Sequence, residues 1–203
     1  DGMMMKFLRE VESDKVLRFV LSTSLLLIFL SFLLPLPIVL FVQDLLYFSR
    51  DHIYFFRPEL AFSGMSFGMI VIALSMLSFI GTKMLAEHAD KPYRLTIPHV
   101  IVFLLGLFLC AQAIDHYYYL TEDGVTENKF FLFGEEYVPF YEVEAVHREV
   151  AESNYAVLAF TFTTKDKTVT VPYDSSDPNA SRAFYYLIHK YEWDVEDNFI
   201  EGK

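Results

Sequence analysis

The sequence predicts a membrane domain of three transmembrane helices, followed by a C-terminal α+β domain in which an antiparallel sheet of five to seven strands is closed by one helix. Two observations favour this division. The 203-residue chain is 54% apolar, above the roughly 45–50% of soluble domains, yet 21% of its residues are charged. The charges are segregated: residues 1–114 hold equal numbers of acidic and basic residues, and residues 115–203 carry the whole net charge of -11. We therefore expect a membrane domain at 1–114 and a water-exposed domain at 115–203.

The predicted transmembrane helices are three uncharged stretches: 19–43, 60–82 and 95–114. A helix needs about 20 apolar residues to cross a hydrocarbon core about 30 Å thick, so each stretch is long enough. The first stretch is too long for a signal-peptide core and no small-residue cleavage site follows it, so we expect a retained anchor. Pro35 and Pro37 lie late in this stretch and predict a kink, or the end of the helix near Leu34. Asp1 and Gly2, which precede Met3, are expected to be foreign to the natural protein.

Small residues spaced four apart mark the predicted helix-packing positions. Gly64 and Gly68 lie in the second stretch, and glycines at this spacing let two helix backbones approach closely. Gly106 and Cys110 repeat the spacing in the third stretch. We expect these positions to pack against another helix of the same chain rather than to form a dimer.

Basic residues near the helix ends predict the orientation in the membrane. The N-terminal flank and the loop between the second and third stretches hold seven of them: Lys6, Arg9, Lys15, Arg18, Lys83, Lys91 and Arg94. The other side holds three: Arg50, Arg57 and Lys129. Cytoplasmic loops carry the excess of Lys and Arg, so we expect an integral protein of the cell membrane with a cytoplasmic N-terminus and an extracytoplasmic C-terminal domain.

From Tyr117 onward the apolar pattern changes to the two-residue period of strands. Glu122-Asp123-Gly124 is a hairpin signal, and 155–164 shows the clearest alternation. Asp177 and Pro178 then mark the start of a helix over about 178–192. The acidic tail from Asp194 to Lys203 is expected to fray.

This order of elements, together with two motifs, resembles the bacterial pleckstrin-homology-like (PH-like) domains that are fused to transmembrane helices. The motifs are Tyr-Leu-Thr-Glu-Asp-Gly-Val at 119–125 and Val-Pro-Phe-Tyr-Glu-Val-Glu-Ala-Val at 138–146. They resemble the family's leucine–threonine–x–x–glycine start and its proline–aromatic–x–x–isoleucine/valine strand. The resemblance covers 117–192. It implies a PH-like sheet or barrel that acts as a binding or assembly module rather than an enzyme.

Several classes of ligand are not expected. Phosphoinositide binding needs basic residues near the first loops, but acidic residues that would repel phosphate dominate there: Glu122, Asp123, Glu127, Glu135 and Glu136. An acidic chain without a basic stripe is a poor nucleic-acid binder. The single cysteine excludes a disulfide framework and a cysteine-based zinc site.

Three residues are candidates for a functional role: His99, Asp115 and His116. His99 is the ionisable residue inside the third stretch, and ionisable residues within the membrane are commonly functional. Asp115 and His116 follow the end of that stretch. The two histidines are 17 positions apart, which corresponds to about 25 Å of helix, so they cannot share a metal ion. The carboxylate pairs at 122–123 and 135–136 are expected at solvated hairpin tips. We expect no catalytic residue, no cofactor and no metal.

The predicted function is that of a non-enzymatic integral membrane protein that presents its PH-like domain as an accessory or scaffold subunit of a membrane complex. The expected partners are the lipid bilayer and a protein, which would dock on an exposed sheet edge or in the groove beside the helix. Two alternatives stay open. One is an immunity-type protein that neutralises a toxin at the membrane. The other is a small channel or transporter subunit that uses the kinked first helix and the glycine face of the second.

Overall fold

The computed structural model describes residues 13–201. Asp1, Gly2, Lys6 and Arg9, on which parts of the sequence interpretation rest, lie outside the described residues. The chain divides into two units. The helical unit comprises Asp1–Phe41 and Phe62–Ile114, and the sheet unit comprises Val42–Ala61 and Asp115–Lys203.

Four helices precede the first long run of strands: α1 (Ser13–Leu30), α2 (Pro35–Tyr47), α3 (Glu59–His88) and α4 (Thr96–Ile114). Both α3 and α4 are long and apolar enough to cross a membrane. The axes of α1 and α2 differ by 81°, so these two helices form a broken span or a re-entrant loop. The predicted stretch 19–43 is therefore not one continuous helix, because it is broken between Leu30 and Pro35. Within residues 13–201, two helices qualify, or three spans if the bent pair counts as one.

The break between α1 and α2 follows from Pro35. Inside a helix, a proline cannot donate to the carbonyl four residues earlier and its ring clashes with that carbonyl, which here belongs to Ser31. The chain avoids the clash by ending α1 at Leu30 and by placing Pro35 first in α2, where no N–H donor is needed. The Ser31 carbonyl instead accepts a hydrogen bond of 2.7 Å from the Ser66 hydroxyl of α3. A neighbouring helix thus satisfies the backbone at the break, as an apolar environment requires.

Helices α3 and α4 approach each other closely at two glycines. A β-carbon added at Gly68 would lie 2.6 Å from Cys110 Sγ and 2.9 Å from the carbonyl oxygen of Gly106. A β-carbon added at Gly106 would lie 3.0 Å from the carbonyl oxygen of Gly68. Gly64, one turn before Gly68, is also buried. No larger side chain fits at Gly68 or Gly106 unless the two backbones move apart.

The sheet unit contains β1 (Tyr54–Phe56), β2 (Tyr117–Leu120), β3 (Gly124–Asn128), β4 (Glu136–Pro139), a short 3-10 helix (Phe140–Glu142), β5 (Ala145–Ala151), β6 (Val157–Thr163), β7 (Thr168–Pro172), α5 (Pro178–Tyr191) and β8 (Val195–Ile200). The strands form two four-stranded sheets, sheet A in the order β1-β2-β3-β4 and sheet B in the order β7-β6-β5-β8. Neighbouring strands are antiparallel, except that β8 runs parallel to β5.

The predicted PH-like sheet or barrel, closed by one C-terminal helix, is wrong. The described residues form two separate sheets, and neither closes into a barrel. Strand β1 comes from the segment between α2 and α3 and pairs with β2, with Tyr54 opposite Leu120. Strand β8 comes from the tail that was expected to fray, so α5 is not the last element. The Arg148 side chain donates two hydrogen bonds, of 2.6 and 2.9 Å, to the Asp197 carboxylate and thereby helps to hold β8 on β5.

One hydrophobic core joins both sheets and α5. Helix α5 begins at Pro178, where the Asp177 carboxylate accepts a hydrogen bond of 2.8 Å from the Asn179 N–H. Its apolar face includes Phe184, which is 1% exposed and stacks on Phe160 of β6 at a ring-centroid distance of 4.4 Å. Other core members come from every strand of sheet A and three strands of sheet B: Tyr54, Tyr118, Leu120, Val125, Val138, Val146, Phe162, Val169 and Val171. Both sheets of the sheet unit therefore share this core.

Candidate functional site

His99 lies in the first turn of α4, within a hydrogen-bonded cluster of the helical unit. Its Nε2 atom is 2.9 Å from Ser78 Oγ of α3, and its Nδ1 atom is 3.1 Å from the Tyr93 hydroxyl. The Tyr93 hydroxyl is in turn 2.9 Å from Thr82 Oγ1, and Ser75 Oγ donates to the His99 carbonyl at 2.7 Å. These contacts join the start of α4 to α3.

Asp115 and His116 follow the other end of α4 and fasten the start of β2. The Asp115 carboxylate accepts a hydrogen bond from the Tyr47 hydroxyl. The buried His116 ring donates through Nδ1 to the Asn128 carbonyl at 2.9 Å, and Gln43 Nε2 donates to the His116 carbonyl at 3.1 Å. Burial lowers the pKa of His116, which favours the neutral imidazole. His99 lies near the start of α4, whereas Asp115 and His116 follow its end, so the three candidate residues do not form one site.

Of the three predicted packing glycines, Gly68 and Gly106 lie where a neighbouring backbone approaches, and Gly64 is buried within α3. In residues 13–201, no three His, Cys, Asp or Glu side chains are grouped so that they could hold a metal ion. The sequence-predicted residues thus make structural contacts, and the most distinctive polar arrangement lies elsewhere, in the sheet unit.

That arrangement is a cleft of about 370 Å³, which we call the Glu127 cleft. It lies between the end of β3, the loop from β3 to β4, the start of β4 and the turn from β6 to β7. Its lining residues are Glu127, Lys129, Leu132, Phe133, Gly134, Glu135, Glu136, Tyr137 and Lys167.

Glu127 occupies an inward position on β3. Successive residues of a strand point to opposite faces, so Glu127 shares the face of the core residue Val125, and its side chain is only 1% exposed. The Lys129 Nζ atom lies 2.9 Å from Glu127 Oε1 as an ion pair. The Oε2 atom has no hydrogen-bond partner among residues 13–201. Leaving a buried acceptor unpaired costs about 1–3 kcal/mol, and more for a charged group.

The charges around Glu127 set its protonation. Burial raises the pKa of Glu127, Lys129 opposes this change, and the neighbouring Glu136 adds to it. Glu136 is the direct cross-strand partner of Glu127, and like charges in that position repel. Lys167, whose Nζ atom lies 3.4 Å from Glu136 Oε1, offsets part of this repulsion. The cleft therefore combines the buried Glu127 carboxylate with the carboxylate of Glu136 and with nearby lysine ammonium groups. This arrangement suits a ligand or side chain that donates hydrogen bonds.

Sequence reasoning used Glu127 only as one of the acidic residues that would repel phosphate, and it placed Glu136 at a solvated hairpin tip. One local signal could have identified Glu127, because strand alternation from Val125 puts it on the inward face. No local signal predicts that Lys167 lies close to Glu136, since this contact depends on how the two sheets pack.

No protein-family model, curated protein or solved structure matches this chain. The chemistry of the cleft and the topology of the chain are therefore the grounds for a functional proposal.

Proposed function

We propose that this chain is a non-enzymatic integral membrane protein whose sheet unit docks a partner protein, as an accessory or scaffold subunit of a membrane complex. The Glu127 cleft is the observation that carries this proposal. Glu127, whose Oε2 atom has no hydrogen-bond partner among residues 13–201, lines this cleft together with Glu136 and Tyr137 of β4. A donor group from a partner would supply the missing hydrogen bond.

The chemistry of the partner follows from the position of β4. Within residues 13–201, this strand is the last of sheet A and pairs with β3 alone, so we propose that its other edge accepts a strand from another chain. An arginine or lysine on such a strand would reach the Glu127 cleft. Residues 115–203 hold 18 acidic and 7 basic residues, and this imbalance would steer a basic segment towards the sheet unit. We infer a partner that presents a basic, extended segment.

The pairing of β1 with β2 supports one arrangement in the membrane. Strand β1 precedes α3 and β2 follows α4, so both ends of the α3–α4 pair belong on the same side. The turn between these helices then lies on the opposite side. Lys83, Lys91 and Arg94 in and beside that turn favour the cytoplasm, so in this proposal the sheet unit lies outside the cell. Protease added to intact cells would then digest the sheet unit, and full protection of that unit would contradict this orientation.

A cross-linking experiment tests the docking proposal. A photoreactive amino acid replaces Tyr137, beside the cleft, or Tyr155, an exposed control in the turn between β5 and β6. In native membranes we expect a single protein to be captured from position 137 and not from position 155. Glu127→Gln should reduce that capture, whereas the exposed control Glu152→Gln should not. The unfolding temperature shows whether the Glu127→Gln variant folds. If it folds and the amount of captured protein is not reduced, docking at the cleft is refuted.

The 81° bend favours a second candidate function, a channel or transporter subunit. Discontinuous helices often line the substrate and ion sites of transporters. This function predicts an oligomer that conducts protons or ions in liposomes. A monomer without measurable flux would contradict it.

A further inference from the structure

The loop between β3 and β4 carries an exposed apolar segment, Phe131-Leu132-Phe133, which we call the apolar tip. Its three side chains are 58%, 57% and 82% exposed, respectively. Single exposed apolar residues are common, but adjacent ones often mark a contact with protein or membrane.

The base of this loop is fixed even though the tip is exposed. The Phe130 ring packs edge-on against the buried His116 ring at a centroid distance of 5.8 Å. Phe131 has a φ of 64°, a conformation that is rare for a bulky residue, and the Leu132 N–H donates to the Lys129 carbonyl at 3.2 Å. The chain therefore holds the apolar tip in a defined shape, at a backbone cost typical of functional segments.

In the chain, β2 follows directly on α4, a helix that is apolar enough to cross a membrane. Tyr117 starts β2 only three residues after Ile114, the last residue of α4, which spans at most about 10 Å of extended chain. Tyr117 pairs with Asn128, the last residue of β3. The loop that carries the apolar tip begins at the next residue, Lys129.

A second exposed apolar segment lies at the same end of the sheet unit. Leu45, Leu46 and Phe48, at the end of α2 and just after it, are 72%, 59% and 76% exposed. The hydrogen bonds from Gln43 to His116 and from Tyr47 to Asp115 tie this segment to the start of β2. Both segments therefore lie beside the start of β2, which follows the end of α4 in the chain.

We propose that the apolar tip inserts into the interfacial region of the lipid bilayer on the side of the sheet unit. Aromatic side chains favour this region, and apolar side chains gain free energy when the acyl boundary covers them. The inference rests on the membrane placement of α4 given in the proposed function, but not on partner docking. Because Leu132 and Phe133 also line the Glu127 cleft, insertion would hold the cleft close to the bilayer, within reach of a partner that is itself membrane-bound.

Spin labelling of the full chain in phosphatidylcholine nanodiscs tests the proposal. The single cysteine permits Phe133→Cys and the control Tyr155→Cys in a Cys110→Ala background. Tyr155 is 75% exposed and lies at the end of sheet B opposite the turn that carries Lys167, a neighbour of Phe133 in the cleft. Oxygen concentrates in lipid, whereas a nickel chelate stays in water. We expect the label at 133 to lose access to the nickel chelate and to gain access to oxygen, compared with the label at 155.

Two results would overturn the proposal. Equal access of the nickel chelate to positions 133 and 155 would place the apolar tip in water. Protection from both reagents would show that protein covers it, either a second copy or a partner. Leu132→Cys repeats the test if Phe133→Cys does not fold. A label at Leu104 of α4, which is 55% exposed, reports the membrane placement of that helix separately, so failure of the proposed topology can be recognised.

Discussion

Gly68→Ala should weaken the contact between α3 and α4, and Gly81→Ala in the same helix is its matched control. The added β-carbon at Gly68 would lie 2.9 Å from the carbonyl oxygen of Gly106 and 3.0 Å from the backbone nitrogen of Cys110. These are backbone atoms, so relief requires the helices to separate. At Gly81, no atom beyond the helix's own backbone lies within 4 Å of the added carbon.

Both substitutions increase helix propensity, but only Gly68→Ala also overpacks the contact between α3 and α4. Alanine in place of glycine favours a helix by about 1 kcal/mol at either position. Overpacking at Gly68 costs about 1–3 kcal/mol, and this cost is absent at Gly81. The unfolding free energies of the two variants should therefore differ by about 1–3 kcal/mol. For a chain of this size, that difference corresponds to an unfolding temperature roughly 2–12 °C lower for Gly68→Ala than for Gly81→Ala.

Thermal unfolding of the purified full chain in detergent measures this difference. Adding Cys110→Ala to Gly68→Ala removes the contact with Sγ but leaves both backbone contacts, so most of the loss should persist. Equal unfolding temperatures for Gly68→Ala and Gly81→Ala would refute the close approach of α3 and α4 at this position.

Three further predictions concern the sheet unit. Because burial raises the pKa of Glu127, its contribution to the free energy of unfolding should be fully present below the ordinary value of 4.5 and should be lost as the pH rises through the raised pKa. Glu127→Gln should remove this dependence in urea unfolding at a series of pH values, and Glu152→Gln should leave it unchanged. Burial lowers the pKa of His116, so NMR titration should show its imidazole taking up a proton only below the ordinary value of 6.5, with stability falling as the pH drops through that range. Phe184→Ala should destabilise the unit by about 3–5 kcal/mol, whereas Tyr141→Ala, at a side chain that is 80% exposed, should change the unfolding free energy by less than about 0.5 kcal/mol.

The two apolar helices could be predicted because the thickness of a membrane sets their length directly. The stretches 60–82 and 95–114 correspond to α3 (Glu59–His88) and α4 (Thr96–Ile114). The end of α1 was harder to predict from the sequence. Pro35 and Pro37 indicated a kink or an end near Leu34, but the helix ends at Leu30, because the clash of Pro35 acts on a carbonyl four residues earlier.

The sheet topology could not be predicted because it depends on contacts that are distant in the sequence. Strand β1 has three residues, and its partner β2 follows two intervening helices. Strand β8 is acidic and exposed, so its sequence indicates a frayed tail, yet pairing with β5 and the Arg148–Asp197 ion pair order it. Local alternation counts strands but does not say which edges meet, and the closed barrel was wrong for that reason.

The candidate site, like the fold, could be predicted only in part from the sequence. Strand alternation is enough to predict that Glu127 points inward, on the same face of β3 as Val125. The pairing of Glu127 with Glu136 needs the register of β3 and β4, and the position of Lys167 needs the packing of sheet B against sheet A. His99, Asp115 and His116 were chosen for their residue type. The His99 side chain contacts α3 at the start of α4, and the side chains of Asp115 and His116 make contacts at the start of β2.

The most direct test of the central claim is the labelling of single cysteines in intact cells with a membrane-impermeant maleimide. In a Cys110→Ala background, Tyr141→Cys reports the sheet unit and Lys91→Cys reports the turn between α3 and α4. If α3 and α4 cross the membrane and hold the sheet unit outside, position 141 reacts in intact cells and position 91 reacts only after the cells are permeabilised. Reaction of both positions from the same side would contradict the crossing.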